Sequence, residues 1–246
     1  GGLGQNNLTD LSSPTQVGTD STWTDNRHKL AAGYRNGNAI KGDGTLWAWG
    51  LGSNGQLGQN EAHNDYHSSP TQVGTNTNWA SVTRGGTCGL YTKTDGTLWM
   101  SGRNNRGNLG QNDRASRSSP IQIPGAWKQN TQFTSVGYGA MAVKENGTLW
   151  SWGYQNQGQL GLNEGTATSY SSPVQIGSNT TWSHCVRAGG DITGAIKTDG
   201  TLWLWGRNYY GMLGQNQASG NIYRSSPVQV GTDTTWSRCC LNNAFG

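Results

Sequence analysis

The sequence predicts an all-β fold assembled from repeated four-stranded antiparallel sheets, and three observations lead there. A pentapeptide, Asp-Gly-Thr-Leu-Trp, stands at Asp43–Trp47, Asp95–Trp99 and Asp199–Trp203, with the variant Asn146–Trp150 completing a series spaced by 52, 51 and 53 residues. The composition is turn-rich, with 39 Gly and 12 Trp but only 2 Phe among 246 residues. No segment carries the sustained 3.6-residue apolar period of a helix. A period near 53 is long for a helical repeat and accommodates one four-stranded sheet per unit.

Each element of the repeat has a local reason. Asp-Gly and Asn-Gly readily take positive φ at the centre of a hairpin, so a type I′ turn is expected at 43–44, 95–96, 146–147 and 199–200. The Leu and Trp that follow open an extended segment. A second Trp returns two residues later, on the same face, in Trp47/Trp49, Trp150/Trp152 and Trp203/Trp205, whereas Ser101 breaks the stripe in the second copy. A loop reading Gly-x-Leu-Gly-x-Asn follows at Gly1–Asn6, Gly55–Asn60, Gly107–Asn112, Gly158–Asn163 and Gly211–Asn216. Ser-Ser-Pro comes next, with prolines at Pro14, Pro70, Pro120, Pro173 and Pro227. An aromatic residue then opens the following segment: Trp23, Trp79, Phe133, Trp182 or Trp236.

In the second copy this order predicts strands at Trp79–Arg84, Thr87–Lys93, Thr97–Gly102 and Ile121–Ile123. The proline at the head of the last one suits an edge position that needs no ladder donor. Two copies depart from the pattern by insertion. Thr24–Asn38 is lengthened, and Pro124–Gln132 carries a spare Trp127; both are expected in loops. Each unit is too small to bury its own faces and must be covered by its neighbours.

Asp-Gly-Thr-Leu-Trp-x-Trp-Gly, Asn-x-x-Gly-Gln-Leu-Gly and Ser-Ser-Pro-x-Gln-Val, seen most fully from Asp43 to Asn60 and on to Ser68–Val73, resemble the repeat of the regulator of chromosome condensation family in its bacterial and phage-like form. The likeness runs through the whole chain. It implies a β-propeller, most often seven-bladed. With about 4.6 repeats in one segment from 1 to 246, four hairpins serve five loop motifs, so an incomplete ring belonging to a longer propeller is expected. The family's founding nucleotide-exchange activity depends on surface loops that the repeat motif does not encode, and fold alone does not carry it over.

The net charge is +4, and its 17 Lys and Arg are scattered, without the basic stripe that nucleic acid requires. There is no run long and apolar enough to span a membrane as a helix. Neither a zinc-protease His-Glu-x-x-His, a phosphate loop nor a nucleophile elbow is present. No catalytic residue, metal or cofactor is therefore expected. Cys88, Cys185, Cys239 and Cys240 lack metal-ligand spacing; Cys185 and Cys239 hold equivalent places and could approach each other, but are expected as buried free thiols.

Because glycines and tryptophans of the repeat have structural explanations, binding is expected where the copies differ. The segments Asn7–Leu11, Glu61–His67, Asp113–Arg117, Glu164–Tyr170 and Gln217–Arg224 vary most. Their candidates are Tyr66, His67, Arg114, Arg117, Tyr170, Tyr223 and Arg224, since Tyr and Arg anchor interfaces more than other residues. The expected function is a non-enzymatic scaffold whose loops bind a protein partner, further copies or the rest of a longer chain. The expected setting is extracellular, on a bacterial surface or a phage particle. A surface glycan is the alternative ligand, because aromatic faces beside Asn and Asp suit sugar rings. An exchange-factor role ranks third.

Overall fold

The computed structural model describes residues 1–239 apart from 25, 34, 62–65, 86, 129–133, 137–138, 166, 187–191 and 217–222. Among the described residues sixteen strands form four antiparallel sheets, each in simple sequence order. The first sheet holds β1 (Leu30–Ala32), β2 (Asn36–Ile40), β3 (Leu46–Leu51) and β4 (Tyr66–Gln72). The second holds β5 (Trp79–Arg84), β6 (Cys88–Lys93), β7 (Leu98–Gly102) and β8 (Arg117–Ile123). In the third are β9 (Thr134–Val136), β10 (Gly139–Val143), β11 (Leu149–Gln155) and β12 (Thr168–Gln175). The fourth comprises β13 (Trp182–Cys185), β14 (Ile192–Lys197), β15 (Leu202–Arg207) and β16 (Tyr223–Gln229). Helix is confined to two three-residue 3₁₀ turns, Arg27–Lys29 and Tyr209–Gly211, among the described residues, and no helix is long and apolar enough to cross a membrane. The chain forms two compact units: Gly1–Asn105 with Ala115–Gly125, and Arg106–Arg114 with Ala126–Gly246.

The repeated pentapeptide is one bonded assembly. Asp43 Oδ1 accepts from the Thr45 amide at 3.0 Å and from its hydroxyl at 2.6 Å, and Thr45 Oγ1 in turn accepts from Trp47 Nε1 at 2.8 Å. Asn146 makes the same two bonds to Thr148 without a charge, which is why Asn replaces Asp there. The lysine two residues earlier lays its Nζ over the Trp ring, at 3.7 Å for Lys41–Trp47 and 3.6 Å for Lys144–Trp150, a cation–π contact. The turn itself is not type I′. Positive φ falls on Gly44, Gly96, Gly147 and Gly200 only, at 79–81°. Gly44 N donates to Lys41 O, and Lys41 N donates to Thr45 O. The Asp thus sits in a type I turn closed by a left-handed glycine, the three-residue hairpin loop. A side chain is excluded there as well, since a Cβ on Gly44 would lie 1.9 Å from Thr77 O of the segment leading into the next sheet.

The fourth strand starts earlier than expected: β8 runs from Arg117, not Ile121. The register explains this. Gly102 pairs with Arg117 and Met100 with Ile121, so Ser118, Ser119 and Pro120 bulge out opposite the single residue Ser101. Proline's missing N–H is absorbed by the bulge rather than by a strand start. The same shift recurs at Gly50, Gly153 and Gly206.

Two further expectations are corrected. Trp127 is no spare residue in a loop: it is 1% exposed, bridges Lys144 as Trp23 bridges Lys41, and packs 5.8 Å from Trp152. It fills the opening-aromatic position assigned to Phe133, which lies outside the described residues. Lys29 also stands in a 3₁₀ turn leading into β1, and β2 begins at Asn36, so the first insertion contains regular structure as well as loop.

The second copy's missing Trp has a substitute. Trp49, Trp152 and Trp205 each donate their indole N–H to the carbonyl before the Leu of the preceding Gly-x-Leu-Gly-x-Asn loop, at 2.9–3.1 Å. In the second sheet Tyr91, on β6, reaches across instead, bonding Ser101 Oγ at 3.0 Å and pointing its hydroxyl at Gln56 O at 3.4 Å.

Candidate functional site

The site is built at the end of each sheet opposite the Asp-Gly turn. There the Gly-x-Leu-Gly-x-Asn loop leaves one sheet and clasps the fourth strand of the next. Its last Asn is left-handed in all five copies, with φ between 51° and 61°. Asn60 N donates to Ser118 O at 2.7 Å, and Ser119 Oγ donates back to Asn60 Oδ1 at 3.1 Å. In the second unit Asn112 and Asn163 clasp Ser171 and Ser225 at 2.6 and 2.7 Å. Asn tolerates this backbone region better than other non-glycine residues, so the motif's final position is fixed by geometry.

The residue just before each clasped serine is the one that varies. His67, Arg117, Tyr170 and Arg224 pair with Gly50, Gly102, Gly153 and Gly206. These glycines carry φ of 93–115°, and a Cβ on Gly50 would meet Arg35 O at 2.3 Å. A bulge glycine on one side and a clasp on the other hold three kinds of side chain, His, Arg and Tyr, at one equivalent position in four sheets. Tyr66 and Tyr223 sit one residue earlier, both exposed, at 66% and 41%. Six of the seven candidates expected in loops therefore stand at the start of a strand. Only Arg114 is on a connecting segment, exposed, two residues past Asn112.

An acidic residue missed as a candidate completes two of these positions. Glu61, directly after the clasp Asn, bonds His67 Nε2 at 2.8 Å, while His67 Nδ1 faces Thr71 Oγ1 at 3.2 Å. Its counterpart Glu164 takes the Tyr170 hydroxyl on both oxygens, at 2.6 and 2.7 Å. That carboxylate disfavours a neighbouring phenolate and pushes the Tyr170 phenol up to about 12. Tyr223 donates to Gly165 O at 3.2 Å, so the Glu164–Gly165 turn links Tyr170 to Tyr223. Two ring contacts extend this patch: the Arg106 guanidinium lies 4.0 Å from the Tyr154 ring centre, and that of Arg207 3.9 Å from Tyr209. The sequence signal for them was available, because the residue after each bulge glycine also varies (Leu51, Arg103, Tyr154, Arg207).

In the first unit, a cavity of about 750 Å³ opens beside Tyr66, lined also by Leu3, Leu8, Asp10, Arg35 and Leu51. Its wall mixes exposed leucines with one residue of each charge. Deeper between the first two sheets, Arg84 is fully buried and donates from Nη1 to Asn38 Oδ1 and to Gln56 O (2.7 Å). Burial lowers its affinity for the proton, and no carboxylate pairs with it among its bonded partners. It ties the sheets together and faces no open surface.

Cys88 and Cys185 are buried free thiols whose burial pushes their pKa up, to about 11 for Cys88, so neither is poised as a thiolate nucleophile. Cys239 is half-buried against the core of the fourth sheet, Cys240 lies outside the described residues, and so does His63. Among the described residues no three His, Cys, Asp or Glu side chains converge as a metal site would require.

Sheets of four antiparallel strands, joined by loops that clasp the next sheet, define a repeat β-propeller protein that presents variable side chains on a fixed frame. The sequence matches the regulator of chromosome condensation (RCC1) repeat over residues 43–91, 95–143 and 146–196, and the chain belongs to that family. It is similar to the ultraviolet-B receptor UVR8 of Arabidopsis thaliana, 27% identical over 94% of this chain and 51% of the receptor. It is 30% identical to the mitochondrial RCC1 domain-containing protein RUG3 of the same plant, over 84% of this chain and 47% of that protein. The fold is that of Saccharomyces cerevisiae Prp20p, with a TM-score of 0.74, 20% identity and coverage of 95% of this chain and 56% of Prp20p. Human WBSCR16 gives 0.68 at 20% identity, over 82% of this chain and 51% of that one. The chain spans about half the length of the relatives it matches.

Proposed function

We propose that this chain is a non-catalytic RCC1-repeat scaffold that binds a protein partner through the strand ends carrying His67, Arg117, Tyr170 and Arg224. One observation carries the reading: His67, Arg117, Tyr170 and Arg224 share one register position, and the framework around that position is the same each time. A surface selected only for folding has no reason to hold its unlike residues so rigidly. Preorganised Tyr and Arg lose little entropy on binding and make strong anchors. Family membership supports the class of function, since the Prp20p structure was described together with binding to Gsp1p and histones.

The low charge and the Asn-, Gly- and Thr-rich composition support a structural setting on a surface or particle, in which the chain would recur in stoichiometric copies. Site-specific photo-crosslinking tests the binding reading. A crosslinking amino acid at position 67, 117, 170 or 224 is expected to trap one protein from extracts of the producing cells. The same probe at Gly74 or Gly177, on open turns at the other end, is expected to trap none. Equal labelling from both ends, or none from either, would contradict it.

A further inference from the structure

The clasps leave one loop and one strand over. Asn6, Asn60, Asn112 and Asn163 seat their loops by donating from N to the carbonyls of Ser68, Ser118, Ser171 and Ser225 at 2.6–2.7 Å. The fifth loop, Gly211–Asn216 on the fourth sheet, makes no such bond among the described residues. It nevertheless has the seated shape. Gly214 N donates to Gly211 O at 2.9 Å, Asn216 is left-handed at φ 51°, Leu213 is buried, and Gln215 Nε2 ties the loop to Gln229 O at 2.9 Å. Gly214 is exposed, whereas Gly58, Gly110 and Gly161 of the seated loops are buried. The unmatched strand is Ser12–Val17. It joins no sheet among the described residues, and positions 11–16 are all exposed. Only its far end is tied back, Gln5 Nε2 donating to Gln16 O at 2.8 Å.

We propose that the Gly211–Asn216 loop of one copy clasps Ser12–Val17 of a second copy, so that this chain associates head to tail. The molecule itself specifies the occupant. Ser12–Val17 reads Ser-Ser-Pro-Thr-Gln-Val, the sequence of Ser68–Val73 residue for residue, and Ser68–Val73 already receives a clasp from Gly1–Asn6. That loop differs from Gly211–Asn216 only at its second residue, Gly2 against Met212. The contact between copies thus repeats one the chain makes with itself: Asn216 N donates to Ser12 O, and Ser13 Oγ to Asn216 Oδ1, as Asn60 bonds Ser118 and Ser119. Loop and strand are different surfaces, so the interface is heterologous, and a pair still offers one clasp and one strand for further copies. A six-residue strand buries much less than a standard interface, which makes the association weak and concentration-dependent. It stands apart from partner binding at positions 67, 117, 170 and 224.

Sedimentation equilibrium of the whole chain at rising concentration tests this. The average mass is expected to climb from one copy to multiples. S13D/N216D sets two carboxylates against each other across the contact and is expected to weaken association by roughly tenfold or more. S13K/N216D carries the same change in the loop but opposes unlike charges, and is expected to restore association, less so as salt rises. Ser13 and Asn216 are both exposed, and Asp accepts the left-handed backbone that Asn holds, so all three chains are expected to melt together. A chain that stays one copy at every concentration would overturn the proposal. So would association that S13D/N216D leaves intact, or that S13K/N216D fails to restore.

Discussion

At the scale of single residues, the pentapeptide's side chains serve the turn. Asp199 and Thr201 repeat the bonds of Asp43 and Thr45, and Trp203 Nε1 donates to Thr201 Oγ1 at 2.9 Å. Because Asn146 performs the same task uncharged, Asp199→Asn is expected to leave the midpoint of urea denaturation almost unchanged. Thr201→Val leaves the indole donor and the carboxylate acceptor without their shared hydroxyl, and is expected to cost about 1–2 kcal/mol in urea denaturation. Tyr170 gives a pH signature. Its folded value, about 12, lies above the ordinary 10, so its contribution to stability is complete below pH 10 and is lost as pH rises through 12. Absorbance titration should show Tyr170 ionising late beside the buried Tyr91, and Glu164→Gln should bring Tyr170 alone back toward the ordinary value.

At the scale of elements, β5 was legible to the residue, because Trp79 and the Gly85-Gly86 pair bound it in the sequence. The start of the fourth strand was not. A proline reads as a beginning, and only the observed register shows that Ser-Ser-Pro is a bulge with the ladder resuming before it. The turn type was misjudged for a related reason: Asp-Gly suits both two- and three-residue loops, and which residues pair decides between them. The insertion hides which aromatic closes against Lys144, so the repeat spacing points to Phe133 where the structure has Trp127. Tyr91 lies outside the repeat pattern because it replaces a missing Trp from a different strand. Gly89 and Tyr91 face Ser101 and Trp99, as Gly37 and Ala39 face Trp49 and Trp47. Tyr91→Ala alone is expected to cost about 3–5 kcal/mol through the void it leaves. Adding Ser101→Trp rebuilds the first sheet's arrangement and should recover at least about 1 kcal/mol of that in a double-mutant cycle. A double variant no more stable than the single one would show that the two sheets do not exchange volume in this way.

At the scale of the whole molecule, framework and variation separate. Hairpins, clasps and indole bonds use the residues that repeat, and these made the fold readable from one sequence. The candidate residues were readable too, as the positions that differ, but their setting was not: the sequence placed them in loops, whereas bulge and clasp hold six of them at strand starts. The glutamates that bond His67 and Tyr170 were hidden because a partner's identity depends on how the loop folds back. The proposed division of labour puts folding in the repeated frame and binding at the variable strand ends. The most direct test replaces His67, Arg117, Tyr170 and Arg224 together by Ala and measures melting temperature beside partner capture. The account predicts a melting temperature within about 4 °C of the parent, as about 1 kcal/mol would give, with capture abolished. A chain that unfolds, or one that keeps its partner with all four side chains gone, would contradict it.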